Sequence, residues 1–307
     1  MSSNKHGKIF GLFDYMRLMK KYLILLRPKQ YIKNLFLFAP LIFAFQYNEL
    51  RKILVIMFAF LIFSIAASSI YILNDLLDLE EDKKHPRKKY RPLASGLISK
   101  NKAMIILSLL MIISIVLSYF VNIYFLLIIL IYIFNNVLYS LKLKHISVLD
   151  IIIIAFGFLL RVIAGGVVAN IDISIWLILM TFLLAIFLGF AKRRDDVILY
   201  IKGLATRKNI DGYNLEFINA VMIVMSAVTI VSYILYTVSA EVTNKFHSHN
   251  LYITSFFVIM GILRYMQITF VNEDSGSPTD LVYKDRFLQI TVILWIISFI
   301  IIVKILA

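Results

Sequence analysis

The sequence predicts an all-α membrane protein, a bundle of nine transmembrane helices. Hydrophobic residues make up 61% of its 307 residues, whereas a soluble domain has roughly 45–50%. Apolar runs of about 20 residues, the length that crosses a bilayer core of about 30 Å, recur along the whole chain. These runs are continuous and do not alternate with polar residues, which argues against the strands of a transmembrane barrel.

Nine apolar segments are predicted to cross the membrane, and their ends are defined to within a few residues. An odd number of crossings places the two termini on opposite sides of the membrane. The segments are 30–46, 53–77, 103–120, 122–140, 148–169, 174–191, 218–239, 250–270 and 286–306.

Positive charge is concentrated on one side of this predicted bundle. The chain has 32 Lys and Arg against 18 Asp and Glu, a formal net charge of +14. If the N-terminus is cytoplasmic, most of these basic residues lie in the N-terminal tail and in the cytoplasmic loops, as the positive-inside rule requires. We therefore expect a multi-pass protein of the cell (inner) membrane with a cytoplasmic N-terminus and a cytoplasm-facing active site. Since topology explains the charge, the sequence does not indicate nucleic-acid binding.

Two regions are expected along the chain. Residues 1–25 have apolar side chains such as Ile9 and Met16 on one helical side and Lys20 near the other, which predicts an amphipathic segment at the membrane interface. Residues 26–307 are predicted to form a single transmembrane catalytic domain. The absence of cysteine excludes disulfides, thiolate metal sites and a cysteine nucleophile.

An acidic motif follows the second apolar segment. Asn74, Asp75, Asp78 and Asp82 are spaced by one, three and four residues, so a helix brings them to one sector. Oxygen ligands of this kind suit Mg²⁺, which usually combines one or two carboxylates with substrate phosphates and water. The alternative is a helix end that emerges into water with solvated carboxylates. The proximity of Asn74 and Asp75 to the apolar segment favours the metal site.

Three basic clusters are predicted to lie on the same side of the membrane as these carboxylates. One directly follows the acidic motif, one precedes the first apolar segment, where positions 29 and 33 are one α-helical turn apart, and one follows the sixth. A metal combined with basic side chains is suited to a diphosphate, although anchoring at the membrane surface is an alternative for each cluster alone. The predicted substrate-binding residues in these clusters are Arg27, Lys29, Lys33, Lys88, Arg91, Lys192, Arg193 and Arg194.

Arg161 is predicted to lie inside the membrane, because it falls within the fifth apolar segment in the stretch GFLLRVIAGG. An arginine at this depth is energetically costly and by default indicates a functional site. We include it among the substrate-binding residues. The alternative is a structural pairing with a buried carbonyl or carboxylate.

With these motifs, the chain resembles the UbiA superfamily of intramembrane prenyltransferases, whose first aspartate motif is NDxxDxxxD. It resembles one branch in particular, the decaprenyl-phosphate phosphoribosyltransferases. The supporting stretches follow the family's order along nearly the whole chain. They are 26–41, 74–96, 143–150, 157–171, 191–194, 262–265 and 285–289.

The resemblance implies a function and a set of roles. It implies transfer of 5-phosphoribose from phosphoribosyl diphosphate (PRPP) to a polyprenyl phosphate, with Mg²⁺ as cofactor and the bilayer as the setting. Asp75, Asp78 and Asp82 would be catalytic and, together with Asn74, would hold the metal, and Asn74 would also bind substrate. Nucleic acid is not an expected partner, and a homo-oligomer is compatible with the sequence.

One departure from the wider superfamily bears on the substrate. Where quinone-type relatives have a second aspartate motif, DxxxD, this chain has KRRDD at 192–196, which favours the phosphoribosyl branch. Two alternatives stay open. One is a UbiA-type enzyme that moves a prenyl group from a prenyl diphosphate to an aromatic or quinone precursor, and the other is a non-catalytic lipid-phosphate carrier.

Overall fold

The computed structural model of the chain describes residues 20–85, 88–203, 210–271, 281 and 284–305. Within these ranges the longer elements are all helices and no strand occurs. Besides short 3₁₀ turns, the elements are α1 (20–26), a 3₁₀ helix (Pro28–Phe38), α2 (Ala39–Phe43), α3 (Leu50–Leu77), α4 (Leu79–Lys84), α5 (Lys100–Val121), α6 (Ile123–Leu141), α7 (Leu149–Ala169), α8 (Ile175–Ile201), α9 (Leu215–Val238), α10 (Ala240–Phe246), α11 (Ser255–Phe270) and α12 (Arg286–Ile305).

Eight of the predicted membrane segments are confirmed as helices that are long and apolar enough to cross a bilayer. They are α3, α5, α6, α7, α8, α9, the stretch Asn250–Phe270 that includes α11, and Arg286–Lys304 of α12. The protein is therefore a multi-pass membrane protein. Most of the predicted interfacial segment, residues 1–19, lies outside the described residues, and its remainder is helical as α1.

The predicted first segment, 30–46, differs from the other eight. Residues Pro28–Phe38 form a 3₁₀ helix of 11 residues, which the five-residue helix α2 continues. Runs of 3₁₀ helix longer than three or four residues are uncommon. Its buried positions, Asn34 and Leu37, are three residues apart, which matches the three residues per turn of a 3₁₀ helix.

The chain divides into two compact units. The first comprises residues 1–143 and 160–172, and the second comprises 144–159 and 173–307. The division falls within α7, whose first part belongs to the second unit and whose remainder belongs to the first. The expectation of a single domain over 26–307 stays a prediction.

The first unit is built around α3. Over the most apolar part of α3, 56% of the residues are buried, against 11% for α5, so α3 is central and α5 presents most of its surface outward. Phe63 of α3 and Tyr132 of α6 pack with their ring centres 4.6 Å apart. The 3₁₀ helix also packs on α3, and Leu37 is fully buried in this core.

The second unit contains α8, a continuous helix of 27 residues. At 1.5 Å per residue its length of about 40 Å exceeds a bilayer core of about 30 Å. The helix is therefore long enough for one of its ends to extend beyond an apolar core. Glycine allows a close approach to the first part of α7, because a Cβ at Gly189 would lie 2.5 Å from Cγ2 of Ile151.

Gly165 offers a direct test of the packing in the first unit. A Cβ at this position would overlap the backbone carbonyl of Leu37 in the 3₁₀ helix, and backbone cannot move aside as a flexible side chain can. We predict that Gly165→Ala destabilises the protein by about 1–3 kcal/mol, the usual range for overpacking. The midpoint of thermal unfolding in detergent measures this loss.

Gly261→Ala provides the matched control, because the added methyl group would meet only Cγ2 of Thr291 at 3.7 Å. An alanine in a helix is favoured over glycine by roughly 0.5–1 kcal/mol, so this variant should unfold at the wild-type temperature or slightly above. Equal midpoints for the two variants would contradict the close contact at Gly165.

Candidate active site

The acidic motif lies where α3 passes into α4. Only Asp78 separates the two helices, and the helical hydrogen-bond pattern continues through it: the Asp78 amide donates to the Asn74 carbonyl at 2.9 Å, and the Asp82 amide donates to the Asp78 carbonyl at 2.8 Å. The four residues therefore follow one another at nearly helical spacing, as expected. Asp75 and Asp82 are each only 2% exposed, while Asn74 and Asp78 are half-buried.

Cationic side chains surround the two buried carboxylates. Arg91 bridges them, with Nη1 3.1 Å from Oδ1 of Asp75 and 2.5 Å from Oδ2 of Asp82. Arg27 forms an ion pair with the same Oδ1 of Asp75, and Nζ of Lys88 lies 3.8 Å from Oδ1 of Asp82. The structure thus brings together three of the predicted basic residues and two of the predicted acids.

Arg27 reaches this cluster from the start of the 3₁₀ helix. Its backbone has φ 54°, in the left-handed region, and it directly precedes Pro28. The guanidinium lies 5.3 Å from the centre of the Tyr71 ring. Burial lowers the pKa of Arg27 from its ordinary value, and the carboxylate of Asp75 opposes this shift.

The donor atoms fit a divalent cation held by few protein ligands. Oδ2 of Asp75 and Oδ1 of Asp82 are buried and lack hydrogen-bond partners, and oxygen atoms are the ligands that Mg²⁺ prefers. Within the described ranges, no three His, Cys, Asp or Glu residues are grouped to hold a metal. The side-chain oxygen of Asn74 accepts a hydrogen bond from Ser140. A set of two carboxylates agrees with Mg²⁺ sites that are completed by substrate phosphates and water.

Lys29 and Lys33 lie on the 3₁₀ helix, with Lys29 exposed and Lys33 half-buried. The expectation that they are one turn apart is wrong. With three residues per turn, positions four apart point about 120° away from each other. Their part in substrate binding stays a prediction.

Arg161 occupies a buried polar network in the first unit and is 5% exposed. Its Nε donates to the side-chain oxygen of Asn34 at 2.8 Å, and its Nη2 donates to the hydroxyl of Tyr132 at 3.2 Å. The rings of Phe63 and Tyr132 both have their centres 5.0 Å from the guanidinium carbon. Aromatic faces attract cations, so these partners stabilise a charged arginine in the interior.

Arg193 belongs to a separate network in the second unit and is 1% exposed. Its Nε donates to Oδ2 of Asp150 at 2.7 Å, and Nη1 donates to Asp196 at 3.0 Å. The Tyr213 hydroxyl donates to Oδ1 of Asp150 at 2.6 Å and accepts from the Val148 amide at 2.5 Å. Burial, together with the hydrogen bond to Asp150, raises the pKa of Tyr213.

Arg194, the next residue on α8, is also engaged inside the second unit. Nε donates to the side-chain oxygen of Asn219 at 3.0 Å, and Nη1 donates to the carbonyl of Thr269 at 2.6 Å. Lys192 is half-buried on the same helix. A substrate phosphate at this cluster would have to share both arginines with these protein partners.

Several partners of the predicted residues were not expected from the sequence. Asn34 accepts from Arg161, Ser140 donates to Asn74, and Asp150 accepts from both Arg193 and Tyr213. The residues in each of these four hydrogen bonds lie far apart in sequence, so the sequence offers no local signal for the pairing.

These features together define a class of protein. The fold is a set of membrane-crossing helices, and the end of one of them carries two buried carboxylates paired with two arginines. Such a site provides oxygen ligands for a cation and donors for phosphate groups. It is typical of an integral-membrane enzyme that acts on phosphorylated substrates.

Comparison with known proteins identifies the family. Residues 35–289 match the model of the UbiA prenyltransferase family, and the chain belongs to this family. It is 32% identical over 281 residues to the decaprenyl-phosphate phosphoribosyltransferase of Mycolicibacterium smegmatis, covering 88% of each chain. It is 32% identical over 279 residues to the enzyme of that name from Corynebacterium glutamicum, covering 88% of this chain and 83% of the relative.

A solved structure has the same fold. The UbiA homolog from Archaeoglobus fulgidus, bound to DMAPP and Mg²⁺, matches with a TM-score of 0.67 and 21% identity, covering 93% of this chain and 99% of that one. The family resemblance predicted from the sequence motifs is confirmed by the match to the family model and by the identity to the M. smegmatis relative.

The pair of Arg193 and Asp150 leads to a prediction about stability. Removing one partner of a buried ion pair leaves an uncompensated charge, which costs about 3–5 kcal/mol. Asp150→Asn and Arg193→Met should each lower the thermal unfolding midpoint markedly. Asp196→Asn is the control, because the Asp196 side chain is 19% exposed and its loss should have a much smaller effect. A thermal unfolding midpoint of Arg193→Met equal to that of the wild type would contradict a structural role for the pair.

Proposed function

We propose that the protein is a Mg²⁺-dependent polyprenyl-phosphate phosphoribosyltransferase. It moves 5-phosphoribose from PRPP to the phosphate of a polyprenyl lipid of the decaprenyl type and releases diphosphate. The relatives from M. smegmatis and C. glutamicum, which align over most of their length, carry the name of this activity and support this branch of the family.

The observation that carries the proposal is the pairing of Asp75 and Asp82 with Arg27, Arg91 and Lys88 at one helix end. The diphosphate and 5-phosphate of PRPP require both a cation and several donors, and this cluster offers both kinds of group. We assign catalysis to Asp75, Asp78 and Asp82, and metal binding to these residues with Asn74. Each of Asp75 and Asp82 has one buried oxygen without a hydrogen-bond partner, which supports those two as the main ligands.

The arginines and the lysine of this cluster bind phosphate oxygens in our proposal. A divalent cation held by Asp75 and Asp82 would neutralise charge that develops on the departing diphosphate. Arg91 and Arg27 donate to the same group, and guanidinium forks suit phosphate geometry. Arg91, which contacts both carboxylates, is well placed to link metal binding with diphosphate binding.

The acceptor needs no general base. A phosphate monoester has a second pKa of about 6, so the lipid phosphate already carries a nucleophilic oxyanion at neutral pH. As the bond between ribose C1 and diphosphate breaks, that oxygen forms the new bond to C1. Lys29, Lys33, Lys192, Arg193 and Arg194 are the remaining candidates for the lipid phosphate and the 5-phosphate.

The proposal includes a membrane topology with nine crossings. The 3₁₀ helix and α2 together form the ninth crossing, because 11 residues at 2.0 Å and five at 1.5 Å give about 30 Å, the thickness of a bilayer core. The basic loops then face the cytoplasm of the cell (inner) membrane, in agreement with the positive-inside rule. The active site opens to this side, where soluble PRPP reaches it.

A transfer assay tests the function. Purified protein is incubated with Mg²⁺, radiolabelled PRPP and a polyprenyl phosphate, and the label is followed into the organic phase. We expect transfer that EDTA abolishes and that Asp78→Asn and Asp82→Asn lower by at least about 100-fold, as loss of a group that stabilises transition-state charge does.

Glu80→Gln is the matched control in this assay, because Glu80 belongs to the same acidic stretch but is exposed to solvent. Its side chain forms an ion pair with the neighbouring Lys83. This variant should retain wild-type transfer. If no label moves to any lipid phosphate, while a labelled prenyl diphosphate is consumed with a quinone precursor, the phosphoribosyl assignment is wrong and only the family assignment stands.

A further inference from the structure

The 3₁₀ helix has one buried edge. Tyr31, Asn34 and Leu37 are spaced by three residues, so they lie above one another on a helix with three residues per turn. Asn34 and Leu37 are almost fully buried. The hydrogen bonds of a 3₁₀ helix have poorer geometry than those of an α-helix, so contacts along this edge must stabilise the segment.

Along this edge the 3₁₀ helix is hydrogen-bonded to α3. The Tyr31 hydroxyl and Oγ of Ser68 are 2.8 Å apart, and the amide nitrogen of Asn34 donates to Oγ of Ser64 at 2.9 Å. Ser64 and Ser68 are four residues apart and therefore share a face of α3. These two hydrogen bonds hold the 3₁₀ helix and α3 side by side.

The other partner of this edge is α7. Its residues Arg161 and Gly165 are also four apart on one helical face. Arg161 donates to the side-chain oxygen of Asn34 at 2.8 Å, and Gly165 lies directly against the backbone of Leu37. Asn34 thus receives a bond from Arg161 and donates one to Ser64, which joins three segments at a single buried amide.

The contacts between the 3₁₀ helix and α3 follow an antiparallel register that leads to the active site. Asn34 pairs with Ser64, Tyr31 pairs with Ser68, and Arg27 pairs with Asp75. The position of the guanidinium of Arg27 over Asp75 therefore depends on the register of the whole 3₁₀ helix along α3. A shift of this helix would move Arg27 away from the carboxylate.

We propose that Arg161 is a positioning residue that fixes this register and thereby places Arg27 at the active site. It does so through Asn34 and does not contact the substrate. Two of its nitrogens are bound to Asn34 and Tyr132, and its guanidinium lies close to two aromatic rings. This inference rests on the proposed function, in which Arg27 binds the diphosphate of PRPP, and it replaces the substrate-binding role that the sequence suggested for Arg161.

The first test is a double-mutant cycle on kcat/KM for PRPP. Arg161→Gln alone should lower kcat/KM by about 100-fold, since small misplacements of binding groups have effects of that size. Arg27→Gln alone should cause a comparable loss. In the Arg27→Gln background, Arg161→Gln should cost less than about threefold more, because residues that act through one another are not additive. Losses that multiply would overturn the proposal, because they would indicate a direct and independent contact of Arg161 with substrate.

The second test uses conservative and disruptive changes at Asn34. Asn34→Asp keeps an oxygen that accepts from Arg161 and can accept from the hydroxyl of Ser64, so its kcat/KM should stay within about threefold of wild type, as expected when a partner survives. Asn34→Leu removes the hydrogen bonds to Arg161 and Ser64, so its loss of kcat/KM should equal that of Arg161→Gln. Wild-type activity of Asn34→Leu would overturn the proposal.

The third test measures the register directly and requires no catalysis. The chain has no cysteine, so spin labels at Leu35→Cys on the 3₁₀ helix and Leu54→Cys on α3 report the distance between these two helices. Both side chains are more than half exposed and belong to the first unit. Arg161→Gln and Asn34→Leu should shift or broaden this distance, while Asn34→Asp should leave it as in the wild type.

An unchanged distance in folded Arg161→Gln would overturn the positioning role. This measurement separates the two proposals. If the wild type transfers no phosphoribose, the proposed function fails, while the distance still decides whether Arg161 fixes the register.

Discussion

The structure of the first unit depends on the electrostatic compensation of two carboxylates at the end of α3. Asp75 and Asp82 are almost completely removed from solvent, and an uncompensated buried charge is among the most destabilising features that a protein can contain. Arg91 bridges both carboxylates and Arg27 binds one of them. Every segment that delivers one of these side chains must therefore stay in place, which constrains the loop after α4 and the start of the 3₁₀ helix.

This constraint explains the unusual helix near the N-terminus. In an α-helix, positions three apart diverge by about 60° at each step, whereas a 3₁₀ helix keeps every third residue on one edge. On that edge, Tyr31 and Asn34 form hydrogen bonds with Ser68 and Ser64 of α3. Arg27, which directly precedes the 3₁₀ helix, pairs with Asp75 farther along α3. The same geometry separates Lys29 from Lys33. The start of this segment thus brings Arg27 to Asp75.

Much of the fold could be predicted because membrane crossing leaves a strong local signal. Each of the eight long helices, such as α3 and α8, is a continuous apolar run, and the acidic motif could be placed at a helix end from spacing alone. The 3₁₀ helix could not be predicted in this way, because a short apolar run does not reveal which helical geometry the backbone adopts. Ion pairs and hydrogen bonds between segments that are distant in sequence also could not be predicted. Nothing near Arg193 in the sequence indicates that Asp150 neutralises it, and nothing near Arg161 indicates Asn34.

The central claim is that Asp75 and Asp82, together with Arg27, Arg91 and Lys88, form the site of diphosphate and metal binding. An experimental structure of the protein with PRPP and Mn²⁺, whose anomalous scattering locates the ion in place of Mg²⁺, tests it most directly. We predict the ion within about 2.0–2.3 Å of one oxygen of Asp75 and of Asp82, distances typical of small divalent cations bound by carboxylates, with the diphosphate contacting Arg91 and Arg27. An ion bound elsewhere, with Arg91 still bridging the two carboxylates in the presence of bound PRPP, would contradict the account.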